Sequence, residues 1–178
     1  MFKRYARRFP APGRWERSTC MAVNSWLRLG LLRQVMVGAT RFGDGYGWGA
    51  IGLALLLFGK ARGERHILFG AIAVSLAQLV YNVAKRLLVR SRPCDSFPLA
   101  YLPVRMPDAF SFPSGHTTTA FAMAIIIGHF SALLWPGALL LATLVGLSRV
   151  ALGAHYPSDV VAGMILGCLC AFACLAFY

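Results

Sequence analysis

Apolar residues fall in long runs along this chain, separated by short breaks rich in Gly, Pro and Arg. Residues 46–59 form an apolar run with aromatic residues at its start, short for a membrane span but able to cross with its ends at the interfaces. Residues 67–84, 115–134, 138–152 and 158–177 are four further runs. The breaks are a Gly43-Asp44-Gly45 turn, a charged loop at residues 60–65, a Trp135-Pro136-Gly137 turn and a very short connection at residues 153–157. The pattern predicts an all-α, integral-membrane bundle of about five transmembrane helices. Residues 20–40 mix Trp26, Leu27, Leu31, Leu32 and Val35 with Arg28 and Arg33. Arginine in mid-membrane costs several kcal/mol, so this stretch reads as an interfacial amphipathic helix. The longest polar stretch after the N-terminus, residues 85–113, contains Pro93, Pro98, Pro103 and Pro107, which forbid a long helix. A loop of that length in so short a chain is expected to be functional.

Composition sharpens the picture. With 58% apolar and only 13% charged residues over 178 positions, an ordinary soluble domain is excluded. The formal charge of +12 could suit nucleic acid or anionic lipid. Long uncharged runs decide for lipid, and nucleic acid is not an expected partner. The opening segment, with Lys3, Arg4, Arg7, Arg8, Arg14 and Arg17 around Phe2, Phe9 and Trp15, suits a surface of anionic head groups or a solvated flank equally well. Five cysteines, three of them inside the last apolar run, do not form a disulfide framework, and free thiols are expected. No cleavable signal peptide is evident, because Arg28 and Arg33 interrupt the run that follows the basic opening. The organisation is one membrane-embedded domain, residues 1–178, with a basic amphipathic region at 1–42 and a bundle at 43–178.

Five spans place residues 85–113 and 153–157 on the membrane face that carries the N-terminal region, with His116 and His155 there and His66 and His129 opposite. Three segments on the shared face carry the candidate chemistry: Lys85 with Arg92-Pro93, Pro113-Ser114-Gly115-His116, and Ser148-Arg149 with His155 and Asp159. Singly, each has an ordinary explanation. Lys85 and Arg92 could be a positive flank, Arg149 could snorkel, and Pro-Ser-Gly is common turn chemistry.

Together they resemble the three signature motifs of the type-2 phosphatidic acid phosphatase superfamily: Lys-x6-Arg-Pro, Pro-Ser-Gly-His and Ser-Arg-x5-His-x3-Asp, with all eleven specified positions filled. The resemblance covers residues 85–159, and the remaining spans fit the helical bundle of membrane members; the N-terminal third resembles nothing in particular. The residue types suit phosphoryl transfer, which needs cations on the phosphate oxygens, an in-line nucleophile and an acid for the leaving oxygen. Lys85, Arg92 and Arg149 supply cations, two of them bidentate forks. Backbone N–H groups of Ser114, Gly115 and His116 at a helix N-terminus, with the Ser114 hydroxyl, complete a phosphate cradle. His155 just ahead of Pro157 reads as the nucleophile, with Asp159 accepting from one ring nitrogen. The resemblance implies the same: a phosphohistidine at His155 oriented by Asp159, with His116 protonating the leaving group and then activating water.

A metal site is the competing reading, but this face offers two histidines and few carboxylates (Glu16, Asp44, Asp95, Asp108 and Asp159) among three cations that would repel a divalent ion. No metal or other cofactor is expected. Asp95, Asp108, Phe97, Tyr101 and Phe110 read as ordinary loop residues ahead of an entrance lining. The expected substrate is a lipid phosphate, with undecaprenyl diphosphate preferred by analogy with short family members; phosphatidylglycerol phosphate, phosphatidic acid and lipid A phosphates are alternatives. The motifs are also similar to those of vanadium haloperoxidases and soluble acid phosphatases, against which five spans count. A non-catalytic lipid-binding protein would predict erosion at His116 or His155, and both are intact. The expected location is a bacterial inner membrane. Nine Lys and Arg in residues 1–42 against Lys60, Arg62 and Arg65 turn the site toward the cytoplasm by the positive-inside rule, whereas many family members face it outward. The sequence leaves that side, and the oligomeric state, open.

Overall fold

A computed structural model describes residues 11–58, 63–101 and 110–178. Residues 1–10 of the basic opening, 59–62 of the charged loop and Asp108 lie outside them. Among the described residues all regular structure is helical. The elements are α1 (Arg14–Ser25), a 3₁₀ turn (Trp26–Arg28), α2 (Gly30–Gly43), α3 (Tyr46–Phe58), α4 (Gly63–Leu87), the single-turn α5 (Pro93–Ser96), α6 (Gly115–Phe130), α7 (Trp135–Ala151) and α8 (Pro157–Leu175). None of the five cysteines is in a disulfide.

The expected interfacial helix is two helices. Residues 20–40 break at the 3₁₀ turn, after which Leu29 is extended and α2 begins. Cys20, Asn24, Leu27, Met36, Ala39 and Thr40 face inward, while Trp26, Leu29, Leu31 and Val35 stay exposed beside Arg28 and Arg33. Two further boundaries shift. Trp135-Pro136-Gly137 is the first turn of α7 and not a separate turn, because Pro at the start of a helix removes only an N–H that has no intrahelical partner. Lys85 lies in the last turn of α4, so the polar loop starts after Leu87.

α6 is the central helix, packed against α4, α7 and α8, and its buried residues (Thr117, Thr118, Ala120, Phe121, Ala122, Ala124, Ile126 and Ile127) run around the whole cylinder. The outer helices are apolar on the outside as well. On α8, Val161, Ile165, Leu169 and Phe172 recur at helical spacing and are each about half exposed or more. Such a stripe is unstable in water and fits hydrocarbon. Residues 65–87 and α8 are long and apolar enough to cross a bilayer, whereas α3, α6 and α7 are shorter, at 13, 16 and 17 residues.

Small residues set the α6–α8 distance. A Cβ on Gly163 would lie 2.6 Å from the Ser114 carbonyl oxygen, and one on Gly167 would lie 2.2 Å from that of Thr118. The two glycines, four apart, let the backbones approach as closely as small-xxx-small interfaces allow. Gly167→Ala is therefore expected to cost roughly 1–3 kcal/mol by overpacking and to lower the thermal midpoint in detergent. Gly38→Ala, where a Cβ meets nothing within 4 Å, should leave the midpoint unchanged or raise it.

Candidate active site

The termini of three bundle helices and one loop meet at one end of the molecule. α7 ends at Ala151, and Gly153 takes the left-handed conformation (φ 67°) that lets the chain reverse within a few residues. The carbonyl of Arg149 accepts from the N–H groups of Ala154 and His155, at 3.0 and 3.1 Å. His155 thus sits on the turn between α7 and α8 and is 2% exposed. The polar loop docks here too: Cys94 N–H donates to the Gly153 carbonyl and Ser111 N–H to the Arg90 carbonyl, at 3.1 and 2.9 Å.

These contacts define the chemistry of His155. Its Nδ1 lies 2.5 Å from the Ser111 carbonyl oxygen, which can only accept, so Nδ1 carries the proton in the neutral ring and Nε2 keeps its lone pair. Nε2 faces the cations, with Arg92 Nη1 3.4 Å away and the same Nη1 donating to the Ala154 carbonyl at 2.8 Å. Burial, then Arg149, Arg92 and Lys85, hold this imidazole well below its usual proton affinity. A neutral ring whose Nε2 keeps an unprotonated lone pair is the form a nucleophile requires.

Asp159 does not make the expected contact. Its carboxylate is 3.7 Å from His155 Nδ1, because the Ser111 carbonyl occupies that position. One oxygen instead accepts from Tyr156 N–H at 2.8 Å, capping α8, and the other accepts from Arg90 Nη1 at 2.5 Å. Arg90 Nη2 donates to Glu16 at 2.7 Å, and Ser158 Oγ donates to the other oxygen of Glu16. Asp159 therefore fixes the start of α8, and its carboxylate stands 3.7 Å behind the Nδ1 edge of His155.

Ser114 is also placed differently. Its N–H donates to the Asp159 carbonyl at 3.1 Å and its hydroxyl lies 2.9 Å from Thr117 Oγ1, both behind the wall of the pocket. The pocket encloses about 280 Å³, and its described lining includes Lys85, Arg92, Gly115, His116, Arg149 and His155. All eight predicted site residues are thus close together, and six of them line one cavity. Asp95, Phe97, Tyr101 and Phe110 are outside its lining. His66, stacked on Phe130, and His129, edge-on to Tyr178, lie at the opposite end of α6. With two imidazoles and one carboxylate among three cations, the described lining is a poor donor set for a divalent metal ion.

Several contacts in the pocket carry no motif signal. Arg149 Nη1 donates to the hydroxyl of Thr40 on α2, and Tyr81, Gln78 and Thr119 line the pocket. His116 Nε2 is 2.7 Å from Asp44 Oδ1 on the α2–α3 turn. A second, apolar cavity of about 850 Å³ runs between α3, α4, α6 and α7, lined by residues such as Trp48, Ile67, Met123, Ile127, Phe130 and Leu141. Gly45, Gln78 and Thr119 border both cavities, so the cationic pocket opens into an apolar groove.

Comparison with known proteins agrees with this geometry. The chain is 36% identical over 160 residues to the decaprenylphosphoryl-5-phosphoribose phosphatase of Mycobacterium tuberculosis, covering 86% of this chain and 85% of that protein. It is 32% identical over 149 residues to the undecaprenyl-diphosphatase BcrC of Bacillus subtilis, covering 83% and 75%. Its fold resembles the crystal structure of a transmembrane PAP2-type phosphatidylglycerolphosphate phosphatase from Bacillus subtilis, with a TM-score of 0.69 and 27% identity over 99% of this chain and 91% of that one. This likeness makes the bundle a membrane protein. The PAP2 superfamily model matches residues 66–178, which contain every motif residue, most of α4 and all of α5 through α8. Nine of the pocket's twelve described lining residues lie within that match, and the chain belongs to the PAP2 superfamily.

Proposed function

We propose that this protein is a metal-independent membrane lipid phosphatase that removes phosphate from a polyprenyl-linked phosphate or diphosphate through a phosphohistidine at His155. The observation that carries the reading is the joined pair of cavities: a cationic pocket holding a neutral histidine, opening at Gly45, Gln78 and Thr119 into an apolar groove. A phosphate head group fits the first and a hydrocarbon chain the second. In this topology α3, α4, α6, α7 and α8 cross the bilayer and α1–α2 lie at the surface.

Lys85, Arg92 and Arg149 bind the equatorial oxygens and stabilise the charge that builds on them in the transition state. His155 Nε2 attacks phosphorus while the Ser111 carbonyl holds the Nδ1 proton. The bond to the leaving oxygen breaks as the N–P bond forms, and His116 gives that oxygen a proton. A water then attacks the phosphohistidine, returning a proton to His116 and freeing inorganic phosphate. Ser114 supports this machinery by fixing Gly115 and His116 against α8. Asp159 supports it by anchoring the turn that carries His155.

Undecaprenyl diphosphate is the preferred substrate, supported by the likeness to the undecaprenyl-diphosphatase. Decaprenylphosphoryl-5-phosphoribose is the second reading, favoured by the higher identity to the mycobacterial phosphatase. The test is phosphate release from purified protein in detergent with EDTA, using these two lipids and phosphatidylglycerol phosphate, and His155→Ala as background. Release above background that is fastest with a polyprenyl substrate is expected. Fastest turnover of phosphatidylglycerol phosphate would overturn the polyprenyl assignment, and release equal to background on all three would overturn the phosphatase reading.

A further inference from the structure

We propose that Asp44 is a positioning residue for the acid–base histidine, forming with His116 a carboxylate–imidazole pair delivered by the N-terminal helices. This rests on the phosphatase reading above and adds to it a residue outside the three motifs.

Two separate observations place the α2–α3 turn on the His116 ring. Asp44 Oδ1 is 2.7 Å from His116 Nε2. Gly43, one residue earlier, is so close that a Cβ there would lie 2.9 Å from His116 Cδ2 and 2.9 Å from Val145 Cγ1. The Cδ2–Nε2 edge of the ring is therefore covered by the turn, and Nδ1 lies on the edge turned away from it. Gly45, at φ 109°, takes a conformation that side-chain-bearing residues rarely adopt and swings the chain from Asp44 into α3. The Gly-Asp-Gly sequence presents one carboxylate and nothing else to the pocket.

The charge around His116 gives that carboxylate its purpose. Lys85 from α4, Arg92 from the polar loop, Arg149 from α7 and His155 from the α7–α8 turn line the same pocket. Asp44 is the single carboxylate among the described lining residues. In the first step His116 must hold a proton for the leaving oxygen while three cations gather around the phosphate. Asp44 accepts the Nε2 hydrogen and balances the ring's charge, leaving Nδ1 to exchange protons. The cycle balances: the Nδ1 proton goes to the leaving oxygen as the N–P bond forms, and Nδ1 recovers one from water as that bond breaks.

The experiment compares the unaltered full chain with Asp44→Asn and Asp44→Glu in detergent, measuring kcat/KM on two substrates. An alkyl ester such as phosphatidic acid requires protonation of its leaving oxygen, whereas p-nitrophenyl phosphate expels a stable anion unaided. Because kcat/KM covers steps only through departure of the leaving group, loss of acid assistance separates the two. Asp44→Asn is expected to lose roughly 10–100-fold on the alkyl ester and less than about 3-fold on the aryl ester, with Asp44→Glu recovering most of the loss. Aryl-ester turnover also reports that the variant is folded. Equal losses on both substrates, or no loss on either, would overturn the pairing alone. Failure of the unaltered chain to release phosphate from either ester and from the polyprenyl lipids above would overturn the phosphatase reading and the pairing with it.

Discussion

His155→Ala is expected to remove turnover to background, a loss of at least about 10³-fold, while the thermal midpoint stays within a few degrees of the unaltered chain. The ring is buried, but its polar contacts are one hydrogen bond to the Ser111 carbonyl and the approaches of Arg92 and Asp159, so its removal leaves the helical frame intact. His116→Ala should behave differently. With p-nitrophenyl phosphate, which needs no proton on its leaving oxygen, phosphoryl transfer to His155 still proceeds, but no base remains to activate water. Acid-labile phosphate bound to the protein should therefore accumulate in His116→Ala and be absent from the double variant with His155→Ala. Transfer should also persist on the acid side of the ordinary imidazole value of about 6.5, because burial and the neighbouring cations hold His155 unprotonated there. Single-turnover labelling from pH 5 to 8 tests this; loss of labelling centred at or above pH 6.5 would contradict a nucleophile held neutral by its surroundings.

The motif residues were legible because their spacing is local and their helices end where turn chemistry says they should. His116 follows Pro-Ser-Gly at the start of α6, and His155 precedes the proline that opens α8. What could not be read is what those residues touch. A carbonyl acceptor has no signature in a sequence, so nothing marks Ser111 as the partner of His155, and the spacing points to Asp159 instead. Spacing from Lys85 marks Arg92 for the site, whereas Arg90 carries no motif signal, and only the fold directs it to Glu16 and Asp159. The N-terminal helices carried an amphipathic pattern that fitted a lipid surface. They do expose Trp26 and Leu31, yet their other face brings Glu16, Thr40 and Asp44 to the site. Amphipathicity states that one face is covered and not what covers it. The span lengths show the same boundary: α6 stops at Phe130, although apolar residues continue to Leu134, because Ser131 leaves the helical conformation and accepts the first hydrogen bonds of the next turn.

Arg90→Met is expected to be the most destabilising single change near the site. Arg90 is 3% exposed and bridges Glu16 on α1, 5% exposed, and Asp159 on α8, fully buried. Its guanidinium also lies 4.1 Å above the Tyr156 ring. Replacing the bridge by an apolar chain of similar length leaves two carboxylates buried near one another without the cation between them. Breaking a buried pair in this way costs about 3–5 kcal/mol, enough to lower the thermal midpoint by roughly 10 °C. Activity should fall as well, since Asp159 caps the helix whose first turn follows His155. Adding Glu16→Gln to Arg90→Met removes one of the stranded charges and should restore part of the midpoint, although Glu16→Gln alone lowers it. That reversal of sign separates an electrostatic bridge from a residue that merely fills space. A midpoint unchanged in Arg90→Met, or additive losses in the double variant, would mean that α1 is held to the bundle by its apolar contacts alone.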